Sequence, residues 1–389
     1  MEYNFDQIID RTNSNCQKYD NRKAVFGTTD LIPMWVADTD FKTPDFIVNA
    51  VKKRAEHQVY GYPLKPDSYF ESIMGWYKRR HNWDIKKNWI QFCPNVVSGI
   101  ASLVLSLSSE GDKIIVQPPV YFPFFHVVEG NKRVMVENPL KREGNRYSFD
   151  FDNLKSIIDE KTKMILLCSP HNPGGMVWTR EELSELGKIC IENGIIVIAD
   201  EIHADLIFSG HTHIPFPSIS DEFAMNSIIV SSASKTFNIA GLSSAYIIAK
   251  NPEYRKAYEA FARATHITSG NFFGQVATEA AYNYGESWLD QLILYIEENY
   301  NFIESFIKNE IPCLKLIKPE GTFLAWIDFS EVSLPTADVY KNLIDNGLGL
   351  SPGHMFGEGG KTFLRLNMGC PRSLIVTAMD ILKRTIESI

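Results

Sequence analysis

Lys235 sits in SSASKTFNIAG, residues 231–241, directly after the apolar, β-branched run Ile228, Ile229 and Val230. One amine is set there among small hydroxyl-bearing residues, where a strand should be giving way to a loop. Two other apolar runs end on comparably distinctive groups: MILLC passes into SPHNPGG with Asn172, and IIVIA closes on Asp200, with His203 three residues further on. Taken singly, each has an ordinary reading. A lysine in a serine-rich loop is a solvated side chain, Asp200 a helix cap or strand-end solvating group, and Asn172 a turn former beside Pro173 and Gly174.

Together they read differently. In an open parallel α/β sheet, ligands sit outside the carboxyl ends of the strands, so consecutive strand ends would bring an amide, a carboxylate and an amine to one crevice. That set suits pyridoxal 5′-phosphate. A lysine must form a Schiff base with the aldehyde, be displaced by the substrate's amine, and then act as general base on the Cα proton; Lys235 would serve both steps. Asp200 would keep the pyridine nitrogen protonated, since only the cationic ring is a strong electron sink, and Asn172 would donate to the phenolic oxygen.

The elements that must position these groups are legible in the middle of the chain. Short apolar runs at 112–119, 163–170, 194–201 and 227–234 alternate with longer segments of helical period, which predicts βαβ units and a mostly parallel sheet buried on both faces. One connecting helix has a defined start: Thr179 and Glu182 have the T-x-x-E spacing of a capping box, Leu183, Leu186, Ile189 and Cys190 recur at helical spacing, and Gly194 ends it. Beyond about residue 285 the pattern changes to long amphipathic stretches followed by strand-like pieces at GTFLAWIDF and TFLRLNM. The expected organisation is a large α/β domain over 46–284, its sheet flanked by helices, and a smaller α+β domain made of 1–45 and 285–389.

With 389 residues and 44% hydrophobic content the chain can build such a core, and its formal net charge of −8 argues against a polyanion partner. No apolar run approaches the roughly 20 residues of a membrane span, and MEYNFDQIID has neither a basic start nor an apolar h-region. A cytoplasmic protein acting on a small molecule, without nucleic acid or membrane, is the expectation. The six cysteines, Cys16, Cys93, Cys168, Cys190, Cys313 and Cys370, lack C-x-x-C spacing, so neither a disulfide framework nor a metal site is predicted.

SPHNPGG, ADEIHADL and SSASKTFNIAGL resemble the corresponding motifs of fold-type I pyridoxal-phosphate enzymes in the class I/II aminotransferase superfamily, within the branch of MalY/PatB-type cystathionine β-lyases and cystalysin-like cysteine desulfhydrases. The resemblance runs end to end, with PMWVADTDF, VYGYP, GDKIIVQPPVYFPF and TFLRLNMGCPR matching in order. It implies the pyridoxal-phosphate-dependent transferase fold and a homodimer with shared active sites.

Carried over by position, the resemblance implies that Tyr121 stacks on the cofactor ring. The backbone N–H groups of Val96, Val97 and Ser98, at a helix start where unpaired amides favour an anion, would cradle the phosphate, with hydroxyls from Ser232 and Ser234. Tyr62, or failing that Tyr60, would reach the phosphate from the neighbouring subunit. Arg365 matches the clamp on the substrate carboxylate, Ala37 a backbone contact to the same group, and Trp35 a wall of the pocket. His203 stands where many transaminases place a tyrosine near the phenolic oxygen. There is one departure: the arginine that many aminotransferases carry eight residues beyond the lysine is Ser243 here, which favours lyase over transaminase.

The reaction implied is β-elimination from cystathionine, cysteine or another S-substituted cysteine, giving pyruvate, ammonia and a thiol. Aminotransfer is the alternative, since it uses the same residues. MalY-type proteins also imply a regulatory role through a surface partner, for which nothing in this sequence marks a face.

Overall fold

In the computed structural model, which describes residues 2–389, the β-branched runs form the interior of one sheet. Its strands are β1 (Ile90–Cys93), β2 (Lys113–Val116), β3 (Val134–Glu137), β4 (Thr162–Cys168), β5 (Ile196–Asp200), β6 (Ser227–Ser231) and β7 (Ala245–Ile248), in the order β1-β7-β6-β5-β4-β2-β3. The run from β3 through β2, β4, β5 and β6 is parallel, as the alternation of elements predicts. β7 is antiparallel to both β6 and β1, which the sequence pattern did not signal.

Both faces of this sheet are covered. Met164, Leu166, Ile198, Ile228 and Val230 pack on one side in one apolar cluster, while Ile165, Leu167, Val197, Ala199 and Ile229 pack on the other. Helices α1 (Asp45–Glu56), α2 (Asp67–His81), α3 (Val96–Leu107), α4 (Pro123–Gly130), α5 (Arg180–Glu192), α6 (Pro252–Ala264) and α7 (Phe272–Tyr284) supply the layers. Side chains of α3, α4 and α6 join the first cluster, and those of α2, α5 and α7 the second. Each fully buried Ile or Leu contributes about 2 kcal/mol, so continuous apolar strands rather than alternating ones are what two covered faces require. α5 starts on the predicted capping box: Glu182 N donates to Thr179 Oγ1 at 3.1 Å, and Thr179 N donates to Glu182 Oε2 at 2.8 Å.

The C-terminal third builds a second layer. After α8 (Glu286–Glu310), β8 (Lys315–Ile317), β9 (Leu324–Asp328), α9 (Thr336–Asp345), β10 (Ser351–Pro352), β11 (Phe363–Asn367) and α10 (Arg372–Glu387) follow. The strands pair antiparallel in the order β8-β9-β11-β10. Ile32 and Pro33 pair in parallel with Leu348 and Gly349, which draws the N-terminal segment to this layer.

Register fixes what meets at the edge of the large sheet. Cys168 lies opposite Asp200, Asp200 opposite Val230, Ser231 opposite Tyr246, and Ala245 opposite Cys93. The carboxyl ends of β1, β4, β5 and β6 therefore share one edge, and β7, running the other way, starts there and brings Ser243 and Ser244 with it. Among the described residues no helix is long and apolar enough to cross a membrane, and no group of three or more His, Cys, Asp or Glu could hold a metal ion.

Candidate active site

A cavity of about 420 Å³ opens at that edge, and its wall includes Lys235, Asp200, Asn172, His203, Tyr121, Val96, Val97, Ser232, Ser234 and Ala37. At one end is the start of α3. Asn95 caps the helix, its Oδ1 accepting from Ser98 N at 2.8 Å. The Ser98 amide is thus already engaged, which narrows the anticipated anion cradle to the amides of Val96 and Val97, first-turn positions with no intrahelical acceptor. Ser232 Oγ donates to Ser244 O at 2.7 Å and accepts from Ser234 N at 3.0 Å, so its hydroxyl hydrogen is also committed. Ser234, Ser243 and Ser244 line the same end. Gly99 makes this close approach of helix to sheet possible, because a Cβ there would lie 2.8 Å from Cys93 Sγ and 2.9 Å from Val230 Cγ1.

Asp200 ends β5 and is 3% exposed, with Oδ1 accepting from Ile202 N at 3.1 Å. Burial pushes its carboxyl up to about 7. His203 is buried, and its Nδ1 has no hydrogen-bond partner. Burial, reinforced by the positive charges of Lys235 and Arg365, brings its pKa down to about 3, which keeps the imidazole neutral. Asn172 follows β4 in a loop with cis bonds at Ser169–Pro170 and Asn172–Pro173. Its N–H donates to Cys168 Sγ at 3.3 Å and its Oδ1 accepts from Arg365 Nη1 at 2.9 Å. Tyr121, half-buried, has its hydroxyl pKa raised by burial and by the charge of Asp200.

Lys235 Nζ donates to the carbonyl of Ala37. Burial brings the ammonium down to about 8, with Arg365 pushing the same way and Asp38 and Asp200 opposing. Arg365 reaches the site from β11: besides Asn172 it donates through Nη2 to Trp35 O at 2.8 Å and Ser351 Oγ at 3.3 Å, and its Nε is buried without a partner. Burial brings this guanidinium down to about 10.

Trp35 differs from the expectation. Its indole donates to Lys18 O at 3.1 Å and packs edge-on to Phe26 at 5.6 Å, so its carbonyl rather than its ring serves the site. Tyr62 is 99% exposed and stands outside this chain's own cavity, while Tyr60 packs on Phe273 and donates to Ala55 O at 2.7 Å.

Sequence reasoning missed two asparagines that fix the segment bearing Ala37. Asn367 Nδ2 donates to Val36 O and Asp38 O, both at 2.6 Å. Asn238 Nδ2 donates to Thr39 O at 2.9 Å and Phe41 O at 3.1 Å, and its Oδ1 accepts from Thr39 N at 3.2 Å. Asn367 had a signal, since it lies two residues from Arg365 and so on the same face of a strand.

The donors present fit pyridoxal 5′-phosphate. Asp200, a buried carboxyl with a raised pKa, calls for a cationic N–H partner; the neutral His203 leaves Nδ1 unpaired; and the free amides of α3 with the serine hydroxyls suit a phosphate.

The chain matches the aminotransferase class I and II family over residues 29–382. It is 41% identical to cystathionine beta-lyase PatB of Bacillus subtilis (strain 168), with 98% of each chain covered. Among solved structures it is similar to cystalysin from Treponema denticola, which contains a pyridoxal 5′-phosphate cofactor, at 33% identity and a TM-score of 0.97 with 100% of both chains covered. It is also similar to the pyridoxal-phosphate-bound C-S lyase from Staphylococcus hominis, at 32% identity and a TM-score of 0.92, covering 99% of this chain and 98% of that one.

Proposed function

This chain belongs to the aminotransferase class I and II family, and we propose that within it the protein is a pyridoxal-phosphate-dependent C–S β-lyase that converts cystathionine or another S-substituted cysteine to pyruvate, ammonia and a thiol. The observation that carries the reading is the convergence of Lys235, Asp200 and the free amides of α3 on one cavity, in a chain alike over 98% of its length to a cystathionine beta-lyase.

Lys235 would hold the cofactor's aldehyde carbon, Asp200 its pyridine nitrogen, Asn172 and His203 its phenolic side, Tyr121 its ring face, and Val96, Val97 and Ser234 its phosphate. Ser232 and Ser98 support that phosphate end through the bonds they already make. When bound, the cofactor supplies an electron sink for the charge left at Cα. The chain's own residues do the rest. Arg365 and the Ala37 N–H orient the substrate carboxylate, the planar guanidinium gripping it bidentately. Lys235, whose burial leaves a useful neutral fraction near pH 8, takes the Cα proton and returns one to the departing sulfur. A cation facing Asp200 would favour its ionised form, raised as the carboxyl is by burial, and so would couple its charge to a protonated pyridine nitrogen.

The same reading includes a homodimer. Val59, Tyr62 and Leu64 form an exposed apolar stretch between α1 and α2 that supports pairing, with Tyr62 reaching the phosphate of the neighbouring subunit. It also includes a cytoplasmic location and the division into 46–284 against 1–45 with 285–389, supported by the strands of the two main sheets falling within 90–248 and 315–367.

The test gives purified holoenzyme L-cystathionine with no keto acid present. Pyruvate and ammonia should accumulate over many turnovers; a single stoichiometric turnover would mark a transaminase instead. Borohydride treatment should leave a pyridoxyl mass on the peptide containing Lys235, and a colourless protein without that mass would overturn the reading.

A further inference from the structure

Lys235 borders two cavities. Besides the one described above, a second of about 630 Å³ lies against the N-terminal segment, and the two share Gln17, Lys235 and Ala240. With the first occupied by cofactor, the second adjoins the same Lys235 and offers room for a substituent on the substrate's Cβ. Arg11, Asp38, Asp40, Lys42 and Asn238 stand in its wall among apolar residues such as Val36 and Phe41.

Four charges on this segment pair with one another. Arg11 Nη2 lies 2.6 Å from Asp38 Oδ2, Arg11 Nη1 2.6 Å from Asp40 Oδ1, and Lys18 Nζ 2.8 Å from Asp40 Oδ2. Lys18 and Asp40 are almost fully enclosed, at 0% and 6% side-chain exposure, whereas Arg11 and Asp38 keep 16% and 22%. Arg11 Nη1 also donates to Thr39 O at 3.1 Å and to Asp38 Oδ1 at 3.2 Å. Both inner hydrogens of the fork are therefore used on Asp38. Among the described residues nothing accepts from Arg11 Nε or from the outer hydrogen of Nη2, and these two form one planar edge suited to a carboxylate.

The geometry points to this second cavity as the subsite for the leaving group, with Arg11 reading a carboxylate at its far end, so that the substrate class is S-substituted cysteines whose substituent ends in a carboxylate. This rests on the lyase reading of the site. It departs from an apolar pocket for a simple thioether, because Tyr121 stands at the first cavity, while the second sets charged and amide groups, Arg11 and Asn238 among them, into an otherwise largely apolar wall. Arg11 binds substrate here and takes no part in moving protons.

The experiment titrates wild-type holoenzyme, Arg11→Gln and Arg11→Lys with L-cystathionine, S-(2-carboxyethyl)-L-cysteine, S-(2-aminoethyl)-L-cysteine and S-methyl-L-cysteine. It reads the apparent Kd from the change in the visible spectrum, and pyruvate in the same samples. Arg11→Lys keeps a cation against Asp38 and Asp40 but lacks the planar fork, so it separates recognition from the folding of the segment. In both variants the Kd for cystathionine and for the carboxyethyl compound, each taken relative to that for S-methylcysteine, should rise about tenfold. The aminoethyl ratio should stay within a factor of about two. Equal losses for all four ligands, or no change in the ratios, would overturn the subsite. Absence of pyruvate from every ligand would instead overturn the lyase reading, while the Kd ratios still decide the subsite.

Discussion

Arg365 Nη1 donates to Asn172 Oδ1 at 2.9 Å, and this bond joins β11 of the four-stranded sheet to the loop that follows β4 of the seven-stranded one. The site is thus assembled across two layers. A group proposed to hold substrate and a group proposed to hold cofactor orient each other before either ligand arrives, and the buried Nε of the same guanidinium is a donor without an acceptor.

Arg365→Lys should keep a positive charge while losing the fork that reaches Asn172, Trp35 O and Ser351 together. The expected outcome is a KM for the amino-acid substrate raised about tenfold or more, with a smaller effect on kcat, since binding of the carboxylate is shared by ground and transition states. Steady-state kinetics with cystathionine check it; an unchanged KM would remove Arg365 from the substrate's carboxylate.

Asp200 gives a pH signature in the cofactor-free protein. Its carboxyl is raised by burial to about 7, against the ordinary aspartate value near 3.9, so between these the folded state holds a proton that the unfolded state has lost. Stability should therefore be highest in acid and fall as pH rises from about 4 to 7, with a slope on the order of 1 kcal/mol per unit from this group. Asp200→Asn should lack this slope, so the wild-type-minus-variant stability difference should itself fall across that range, followed by denaturant unfolding at several pH values. With cofactor bound the wild-type slope should shrink, because a cationic ring nitrogen favours the carboxylate, and activity of the asparagine variant should fall by about two orders of magnitude or more.

Asn367→Ala removes the two 2.6 Å bonds to Val36 O and Asp38 O and the bond its Oδ1 accepts from Gly369 N at 2.8 Å; the Val36 carbonyl and the Gly369 N–H are left without a partner, while the Asp38 carbonyl keeps Lys18 Nζ at 3.2 Å. A loss of about 2–4 kcal/mol is expected, at roughly 1–3 kcal/mol for each unsatisfied buried group discounted for relaxation. Because Ala37 O lies between these carbonyls and accepts from Lys235 Nζ, the visible spectrum of the holoenzyme should also titrate at a shifted pH. A stability loss with an unmoved spectral pKa would confine Asn367 to a structural role.

What the sequence made legible follows a physical line. Lys235, Asp200 and Asn172 could be found because each ends a continuous apolar run, and parallel strands buried on both faces leave such runs as their signature. The antiparallel entry of β7 left no comparable mark: AYII has the same apolar composition whichever way it runs, so the arrival of Ser243 and Ser244 at the site depends on pairing partners far away in the chain. Asn238 and Asn367 work on backbone carbonyls 197 or more residues distant in sequence, where no local periodicity announces the partner. The direction of the Trp35 ring is set by Phe26 and the Lys18 carbonyl, a matter of tertiary packing alone.

Tyr62 supplies the last prediction. It is 99% exposed and absent from the wall of this chain's cavity, so any role at a phosphate must be played in a second copy. In a two-fold dimer each site would combine Lys235 of one protomer with Tyr62 of its partner. Lys235→Ala and Tyr62→Ala homodimers should each be impaired, the first completely. When the two are unfolded together and refolded, about half of the dimers should be hybrids, each with one site carrying both native residues, and activity should return to about a quarter of wild type. Mixing without refolding serves as the control. If the co-refolded mixture is no more active than the average of the two parents while sedimentation shows dimers, Tyr62 acts within its own chain or not at all, and the shared site is wrong.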